Sequence, residues 1–278
     1  MSEPAVDLDA YFRRIGYGGP TVATLPVLSA IQAHHAGSIP FENLDVLLGR
    51  PVPLDIASLQ RKLVDRCRGG YCFEHGTLFL HVLHALGFQA CALAARVLWR
   101  QPEGAVTPRT HMLLRVEPAD GSYLADVGFG RATPTAPLAL VADVEQPTGL
   151  EPFRLRAAGG DLVLQVREGA TWSTLYRLSL EVQHAVDREL ANWFVSTHPA
   201  SIFVNNLFAA RPTSTGRHAL FGRDYAMRRP NGTAQERRLA DGAAMVEALE
   251  REFLVALPQA DRRAVVERLD ALAEVAGG

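Results

Sequence analysis

A cysteine preceded by two glycines is the most chemically suggestive feature of the sequence. It is Cys72, within the stretch Arg68–His75, which reads RGGYCFEH. The glycines allow a tight approach of the backbone, and the pattern that follows predicts Cys72 in the first turn of a helix. There the unpaired N–H groups and the helix dipole favour the thiolate, the nucleophilic form. Because a lone cysteine is as often a small buried apolar residue, Cys72 alone leaves both interpretations open.

A thiolate nucleophile needs a base, and the base needs a group that orients it. His111 opens one predicted strand and Asp126 lies on the next, with the hairpin signal Asp120-Gly121 between them. Pairing of these strands would place Asp126 beside His111. Either residue alone is typical of a polar strand end. The three together, in the order Cys, His, Asp, favour a nucleophile with its base and orienting group.

The segment Asp126–Gly130, DVGFG, places an aromatic ring between two glycines. Glycines there would allow a ligand to approach the backbone, although a plain turn between strands has the same composition. The sequence contains neither a GxGxxG motif opening a helix nor a GxxxxGK[ST] loop, so it predicts no nucleotide-phosphate loop of those kinds.

Histidines elsewhere suggest helix surface rather than a metal site. His81 and His84 form an HxxH pair, but no third ligand follows at helical spacing, and the sequence contains no CxxC pair. His34 and His35 are likewise interpreted as exposed positions of a helix. No metal is expected.

The periodicity of the sequence around these residues predicts the elements that position them, and these elements indicate an α+β fold in three parts. Residues 1–88 have helical periodicity, residues 89–195 alternate like antiparallel strands of a sheet or barrel, and residues 196–278 mix both patterns. The predicted helices are 7–15, 25–36, 58–66 (with Ser58 as N-cap), 73–86, 187–195, 243–253 and 261–275, with a loop at 38–44. The predicted strands are 89–98, 111–117, 122–127, 153–156, 162–167, 171–178, 202–210 and 218–221.

Composition excludes several classes of function. The 278 residues carry 28 basic and 30 acidic side chains, a net charge of −2, which argues against a nucleic-acid partner. No run of 18 apolar residues predicts a membrane span, and the acidic N-terminus does not resemble a signal peptide. Three cysteines do not describe a disulfide framework, so a reducing, cytoplasmic location is expected.

Several separated blocks together resemble the bacterial type of the arylamine N-acetyltransferase family. The blocks keep the family's order and span nearly the whole chain. They are YFRRIGYG (11–18), SIPFENL (38–44), RGGYCFEH (68–75), Thr110-His111, DVGFG (126–130) and STHPASIF (196–203).

The resemblance implies a fold and a mechanism. The fold would be an N-terminal helical bundle (1–88), a central antiparallel β-barrel (89–195) and a C-terminal α/β lid (196–278), with a cysteine-protease-like core. Cys72, His111 and Asp126 would form the catalytic triad. Acetyl-coenzyme A would acetylate Cys72, coenzyme A would leave, and an arylamine or arylhydrazine, as in the metabolism of foreign compounds, would take the acetyl group.

The resemblance also implies a substrate pocket and supporting contacts. The expected pocket residues are Phe41, Val97, Thr110, Gly128, Phe129, Gly130 and Phe203. Glu42 and Arg68 are expected to pair and to hold the Pro40 loop against the site. Gly76 departs from the family, which commonly has asparagine there, and this puts in doubt whatever that side chain supports. Arg131 and Arg211 are candidates to meet the phosphates of coenzyme A, but the sequence selects neither.

Two other functions use the same residues. A cysteine hydrolase or transglutaminase-like enzyme would need the same triad but an open groove for a peptide, and a non-catalytic relative would use the fold only for binding. The sequence leaves the oligomeric state open, a homo-oligomer included.

Overall fold

The computed structural model of the chain describes residues 5–275. The helices are α1 (Leu8–Ile15), α2 (Leu25–Ser38), α3 (Leu44–Leu47), α4 (Ile56–Leu59) continued by the π-helical segment Gln60–Asp65, α5 (Cys72–Ala85), α6 (Ala185–Thr197), α7 (Ile202–Asn205), α8 (Gly242–Arg251) and α9 (Gln259–Val275). The strands are β1 (Phe41–Glu42), β2 (Gln89–Val97), β3 (Arg109–Glu117), β4 (Tyr123–Ala125), β5 (Leu138–Ala139), β6 (Glu145–Gln146), β7 (Phe153–Ala158), β8 (Asp161–Glu168), β9 (Thr171–Leu178), β10 (Phe208–Thr213), β11 (Gly216–Phe221), β12 (Asp224–Arg228) and β13 (Ala234–Arg238).

The N-terminal helices pack around α5, which is buried on most of its surface. Leu28, Leu63 and Phe79 meet in one apolar cluster with Cys72. The helix predicted to start at Ser58 begins earlier, because the Asp55 side chain is the N-cap and accepts a hydrogen bond from the Ser58 N–H at 2.9 Å. The prediction of Ser58 as the cap is therefore wrong.

Within the described residues, eight strands form one antiparallel sheet in the order β5-β4-β3-β2-β9-β8-β7-β6. The Gln146 side chain connects the two edge strands. Its amide oxygen accepts from the Ala139 N–H at 2.7 Å, and its amide nitrogen donates to the Ala139 carbonyl at 2.9 Å. These contacts satisfy edge groups that would otherwise be open and bring the sheet close to a closed barrel.

The C-terminal sheet has the order β1-β10-β11-β12-β13 among the described strands and packs against α8 and α9. Its first strand comes from the N-terminal part of the chain, since Phe41 pairs with Ala210 and Glu42 with Ala209. The loop predicted at 38–44 therefore includes β1. The strand predicted over 202–210 is wrong in its first half, because the Ser201 side chain accepts from the Phe203 N–H and starts α7.

The predicted fold class, an α+β chain with a helical part, a barrel-like sheet and a C-terminal α/β layer, is confirmed. The division into domains stays a prediction, and its limit at 195/196 falls inside α6. Among the described residues, no helix has both the length and the apolar character that a membrane crossing requires.

Candidate active site

Cys72 is the first residue of α5, as its sequence context predicts. Tyr71 is the N-cap, and its N–H donates to the Glu74 carboxylate at 3.1 Å, so the side chain at the third helical position ties down the helix start. The Cys72 side chain is only 3% exposed, and its Sγ lies 3.6 Å from the Thr110 carbonyl oxygen on β3. The thiol thus lies where a helix N-terminus meets the wall of the barrel.

The two glycines before Cys72 are required by close packing. A Cβ on Gly69 would lie 2.1 Å from the Pro40 carbonyl oxygen, and one on Gly70 would lie 2.7 Å from Glu74 Oε2. The Gly70 carbonyl accepts from the Glu42 N–H at 2.8 Å, which joins this loop to β1. The glycines therefore let the Pro40 loop contact the segment that precedes Cys72.

A buried ion pair stabilises the same contact between the Pro40 loop and the segment that precedes Cys72. Arg68 Nη2 lies 2.7 Å from Glu42 Oε1, and both side chains are almost fully buried. The other oxygen of Glu42 accepts from the Leu44 N–H at 2.7 Å and so starts α3. The predicted pairing of Glu42 with Arg68 is confirmed. Beside it, Lys62 lies within 2.7 Å of both Asp45 and Glu74, which connects the charges to the N-terminus of α5.

His111 and Asp126 are adjacent, with 2.7 Å between His111 Nε2 and Asp126 Oδ2. The pairing of β3 with β4 brings them together, since Leu114 faces Ala125 in that register. Asp126 is held from two further directions, by the Gly128 N–H at 2.9 Å and by the Tyr176 hydroxyl at 2.9 Å. The carboxylate is therefore fixed by three donors.

The charge on His111 follows from these neighbours. Burial alone would lower its pKa, but attraction and hydrogen bonding to Asp126, with a smaller contribution from Cys72, raise the pKa to about 10. His111 is thus an imidazolium at neutral pH. Its positive charge lies next to Cys72, where it can offset the negative charge of a thiolate.

Both glycines of the 126–130 segment, Gly128 and Gly130, pack closely against other parts of the chain. A Cβ on Gly128 would lie 2.8 Å from Cys72 Cα, so the glycine lets this segment press against the start of α5. Gly130 has a φ of +80°, which favours glycine, and a Cβ there would lie 3.4 Å from the Phe41 ring. Both positions are constrained by packing independently of any substrate.

Aromatic rings pack against the His111 imidazolium, and a second aromatic group, Phe41 and Phe203, lies in the cluster that contains Cys72. The Phe129 ring packs edge-on against His111 with centroids 5.1 Å apart, and the Phe41 ring lies 6.0 Å from Phe203. Thr110, whose carbonyl faces Cys72, is partly buried. Val97 lies at the end of β2, opposite Tyr176, and is also partly exposed. Phe129 thus contacts His111 and the Thr110 carbonyl faces Cys72, while Phe41 and Phe203 contact each other; the substrate-binding role of all seven predicted pocket residues stays a prediction.

A second buried histidine lies on the helical side of Cys72. His75 Nε2 donates to the Pro40 carbonyl at 3.1 Å, and its Nδ1 lies 2.8 Å from His35 Nε2. His35 Nδ1 lies 2.9 Å from the Tyr11 hydroxyl. The prediction that His35 is exposed is wrong, because this chain of hydrogen bonds runs through the core. Burial lowers the pKa of His35 and lowers that of His75 to about 4, so both rings are neutral at neutral pH.

The space beside the unusual glycine at position 76 is occupied by a neighbouring side chain. A Cβ on Gly76 would lie 3.0 Å from the Met112 sulfur and within 3.2 Å of the two carbons bonded to it. Met112 is buried, and its sulfur lies 3.7 Å from the Thr77 hydroxyl. A thioether therefore occupies the space into which a side chain at position 76 would project.

The HxxH pair falls in no group of three potential metal ligands among the described residues. His84 is exposed and lies 2.9 Å from the Ala90 carbonyl oxygen. Nowhere in the part of the chain that the structure describes do three or more His, Cys, Asp or Glu residues come together as a metal site would require. His34 is exposed, as predicted.

Two residues of the site were missed by sequence reasoning. Glu74 follows Tyr71 by three positions, a helix-start signal that could have identified it. Tyr176 has no such signal, because a tyrosine within an alternating strand is typical of an apolar core. Only the pairing of β2 with β9 brings its hydroxyl to Asp126.

Comparisons with known proteins agree with this geometry. The family model described as N-acetyltransferase matches residues 24–262. An arylamine N-acetyltransferase of Mycobacterium tuberculosis is 46% identical over 273 residues, covering 96% of each chain. The chain belongs to the arylamine N-acetyltransferase family.

Relatives and solved structures extend the match across the whole fold. An arylamine N-acetyltransferase of Escherichia coli is 38% identical over 94% of this chain and 93% of its own. The structure of the Mycobacterium marinum arylamine N-acetyltransferase in complex with CoA superposes with a TM-score of 0.92 at 44% identity, covering 96% of this chain and 99% of that one. The resemblance seen in the motifs is confirmed, and the chain is an acyltransferase of this family.

Proposed function

We propose that this acyltransferase moves an acetyl group from acetyl-coenzyme A to arylamines and arylhydrazines through a thioester on Cys72. The observation that carries the proposal is the buried thiol at a helix N-terminus, beside an imidazolium that Asp126 holds. Family membership supplies the reaction class, and the Mycobacterium marinum relative is a complex with CoA. Cys72, His111 and Asp126 are the proposed catalytic residues.

In the first half of the reaction, the Cys72 thiolate attacks the carbonyl carbon of the acetyl thioester. The new carbon–sulfur bond forms as the bond to the coenzyme A sulfur breaks, and the departing sulfur takes the proton of the His111 imidazolium. The N–H groups in the first turn of α5 have no intrahelical acceptor and are suited to stabilise the transient oxyanion. The products are acetyl-Cys72, neutral His111 and free coenzyme A.

In the second half, the amine nitrogen attacks the acetyl carbon of the Cys72 thioester. His111, now neutral, takes a proton from the attacking nitrogen as the bond to Cys72 breaks. The products are the acetylated amine, the Cys72 thiolate and the imidazolium, which is the starting state. Asp126 keeps the His111 ring in one orientation through both halves and offsets its charge.

The acceptor is proposed to bind among the aromatic residues near Cys72. A flat aryl ring packs well against the edges and faces of phenylalanine rings. The proposed binding residues are Phe41, Val97, Thr110, Gly128, Phe129, Gly130 and Phe203. The three cysteines are free thiols, which suits the cytoplasmic location expected from the sequence.

Intact-protein mass spectrometry after mixing with acetyl-coenzyme A and no acceptor tests the proposal. One acetyl adduct is expected on the wild type and on Cys67→Ala, an exposed cysteine that serves as the matched control, and none on Cys72→Ala. An added arylamine should discharge the adduct faster than buffer does. Rapid discharge to water alone would instead favour a hydrolase, and no adduct on folded protein would refute the acetyl-enzyme.

A further inference from the structure

Asn43 is a buried residue that the proposed mechanism does not use. It lies between β1, which contains the proposed binding residue Phe41, and α3. Only 2% of Asn43 is exposed. Burying a side-chain amide is unfavourable unless its polar atoms are hydrogen-bonded, so the partners of this amide indicate what it does.

The Asn43 side chain does not cap the helix that begins beside it. Asn43 is the N-cap residue of α3, a position where an asparagine side chain ordinarily accepts a hydrogen bond from the helix start. Among the described N–H groups of α3, none donates to it. The Glu42 carboxylate accepts from the Leu44 N–H instead, at 2.7 Å. The amide of Asn43 is therefore available for partners elsewhere in the chain.

The amide binds the segment that joins α7 to β10. Asn43 Nδ2 donates to the Phe203 carbonyl at 2.7 Å and to the Asn206 carbonyl at 2.8 Å. Asn43 Oδ1 accepts from the Phe208 N–H at 2.8 Å. An N–H can only donate and a carbonyl can only accept, so these partners fix the orientation of the amide. One side chain thus holds three backbone groups that lie far from it in the sequence.

Three aromatic rings meet at these backbone groups. The centroid of the Phe203 ring lies 6.0 Å from that of Phe41 and 5.0 Å from that of Phe208. Asn43 binds the backbone of both Phe203 and Phe208, and it follows Phe41 by two residues. The same amide therefore controls the spacing of all three rings.

Strand pairing by itself places two of the three rings. Phe41 lies on β1 and Phe208 on β10, and these strands are neighbours in the C-terminal sheet. Phe203 lies instead in α7, a helix of four residues outside both sheets. A bond from Arg268 reaches the next residue of α7, the Val204 carbonyl, at 3.3 Å. The bond from Asn43 is shorter and ends on Phe203 itself, so it ties this ring to the sheet.

We propose that Asn43 is a positioning residue for the acceptor, holding the Phe203 ring beside Phe41 so that an aryl group is favoured over an alkyl group. A gap of about 0.5–1 Å already forfeits a quarter to a half of the attraction between packed groups, so the placement of the ring matters. Asn43 acts through Phe203 and does not touch the reacting atoms. This inference rests on the proposed function and concerns the choice of acceptor, not the acetylation of Cys72.

Two acceptors with the same nucleophilic group test the proposal. Phenylhydrazine and methylhydrazine both offer a hydrazine nitrogen, but only the first carries an aryl ring. The ratio of kcat/KM for phenylhydrazine to that for methylhydrazine should fall about tenfold in Asn43→Leu, the effect of one lost aromatic contact. Leucine has about the size of asparagine but no polar atom. Asn43→Ser makes a smaller change in polarity and replaces Asn43→Leu if that variant does not fold.

Asn205→Leu is the matched control. Asn205 is exposed, and its Nδ2 also donates to two carbonyls, those of Pro199 and Ser201. Both partners lie within its own segment, so this side chain does not connect Phe203 to β1. The control variant should keep the acceptor ratio of the wild type.

A double-variant cycle shows whether Asn43 acts through the ring. Phe203→Leu alone should lower the acceptor ratio, and adding Asn43→Leu to it should lower the ratio little further, because the ring that Asn43 positions is already gone. Additive losses would mean that Asn43 acts by another route. The rate at which acetyl-coenzyme A acetylates Cys72, followed by mass spectrometry without acceptor, should be the same in Asn43→Leu as in the wild type.

The outcomes separate this inference from the proposed function. An unchanged acceptor ratio in the Asn43 variants, with active wild type, would overturn the positioning role and leave the acetyl transfer intact. Slower acetylation of Cys72 with equal losses for both acceptors would also overturn it, since Asn43 would then support only the fold. No acetylation of Cys72 in the wild type would overturn the proposed function itself.

Discussion

The barrel side and the helical side of Cys72 each bury a histidine, and one of these histidines is positively charged at neutral pH while the other is neutral. His111 on β3 is 3% exposed and contacts Asp126, which raises its pKa to about 10. His75 on α5 is 0% exposed and contacts a carbonyl and a neutral histidine, and its pKa is lowered to about 4. Burial is nearly the same on both sides, so the buried carboxylate makes the difference.

The two charge states explain why only one of the two histidines acts as acid and base in the proposed mechanism. A ring that remains neutral cannot supply a proton to a leaving thiolate, and its hydrogen bonds are used to hold the Pro40 loop. In the proposed mechanism, His75 is thus a positioning residue on the Phe41 side, while His111 carries the proton. Four experiments test this difference between the two histidines.

Replacing the two histidines in turn should give the largest difference. His111→Asn should reduce kcat/KM for acetyl transfer by about 10³-fold, within the range for loss of a general acid–base. His75→Gln, which retains a donor and an acceptor, should cost less than tenfold and act mainly on KM for the amine. Steady-state kinetics with one amine compares them, and equal losses would break the contrast.

Neutralising the carboxylate should remove the basis of the contrast. In Asp126→Asn the pKa of His111 should fall, because burial is then opposed only by the smaller contribution of Cys72, and kcat should drop by about 10²-fold. Tyr176→Phe removes only one of the three donors to Asp126 and should cost less than tenfold. The pH dependence of kcat/KM measures both. An unshifted profile in Asp126→Asn would mean that the aspartate does not set the charge on His111.

The interface between the two sides can be tested at Gly76. Gly76→Asn should destabilise the fold by about 1–3 kcal/mol, because the new side chain meets Met112. Met112→Ala alone should also destabilise, by leaving a cavity, yet the double variant should be more stable than the sum of the two losses. Urea unfolding checks this. Additive losses would mean that Met112 does not fill the place of a side chain at position 76.

The smallest effect should appear in the pH dependence of stability. The folded-state pKa of His75 lies below its unfolded value, so its contribution is present above pH 6.5 and is lost as the pH falls toward about 4. His111 has the opposite sign, and its contribution is lost as the pH rises through about 10. His75→Gln should flatten the acidic limb of Tm against pH by a few degrees. If the acidic limb of the Tm curve of His75→Gln were identical to that of the wild type, His75 would not be a buried neutral ring.

The elements that carry the site could be read from the sequence because their patterns are local. Apolar spacing gave α5 to within one residue at each end, and alternation gave β9 with its bounds. Strand β13 was missed because polar residues dominate it and it is exposed along its length, and β12 was missed because only two buried side chains, Tyr225 and Met227, alternate within its five residues. The segment after Ser201 forms a helix only because a cap overrides its β-branched composition.

Cys72, His111 and Asp126 of the candidate site could be predicted because they lie in local motifs. The residues that hold them in place could not. Tyr176 reaches Asp126 through strand pairing distant in sequence, and His35 is buried because Tyr11 and His75 come from other helices. Nothing at position 35 itself indicates those neighbours. The space at Gly76 likewise depends on a methionine of another strand.

The charge states of the two histidines are measured most directly by following their ring nitrogens by NMR from acid to alkaline pH. His111→Asn and His75→Gln assign the signals. At pH 7 the His111 ring should be doubly protonated and lose its proton only near pH 10, while the His75 ring should carry a single proton and gain the second near pH 4. A neutral His111 at pH 7, or both rings titrating together near 6.5, would show that Asp126 does not set the charge on His111.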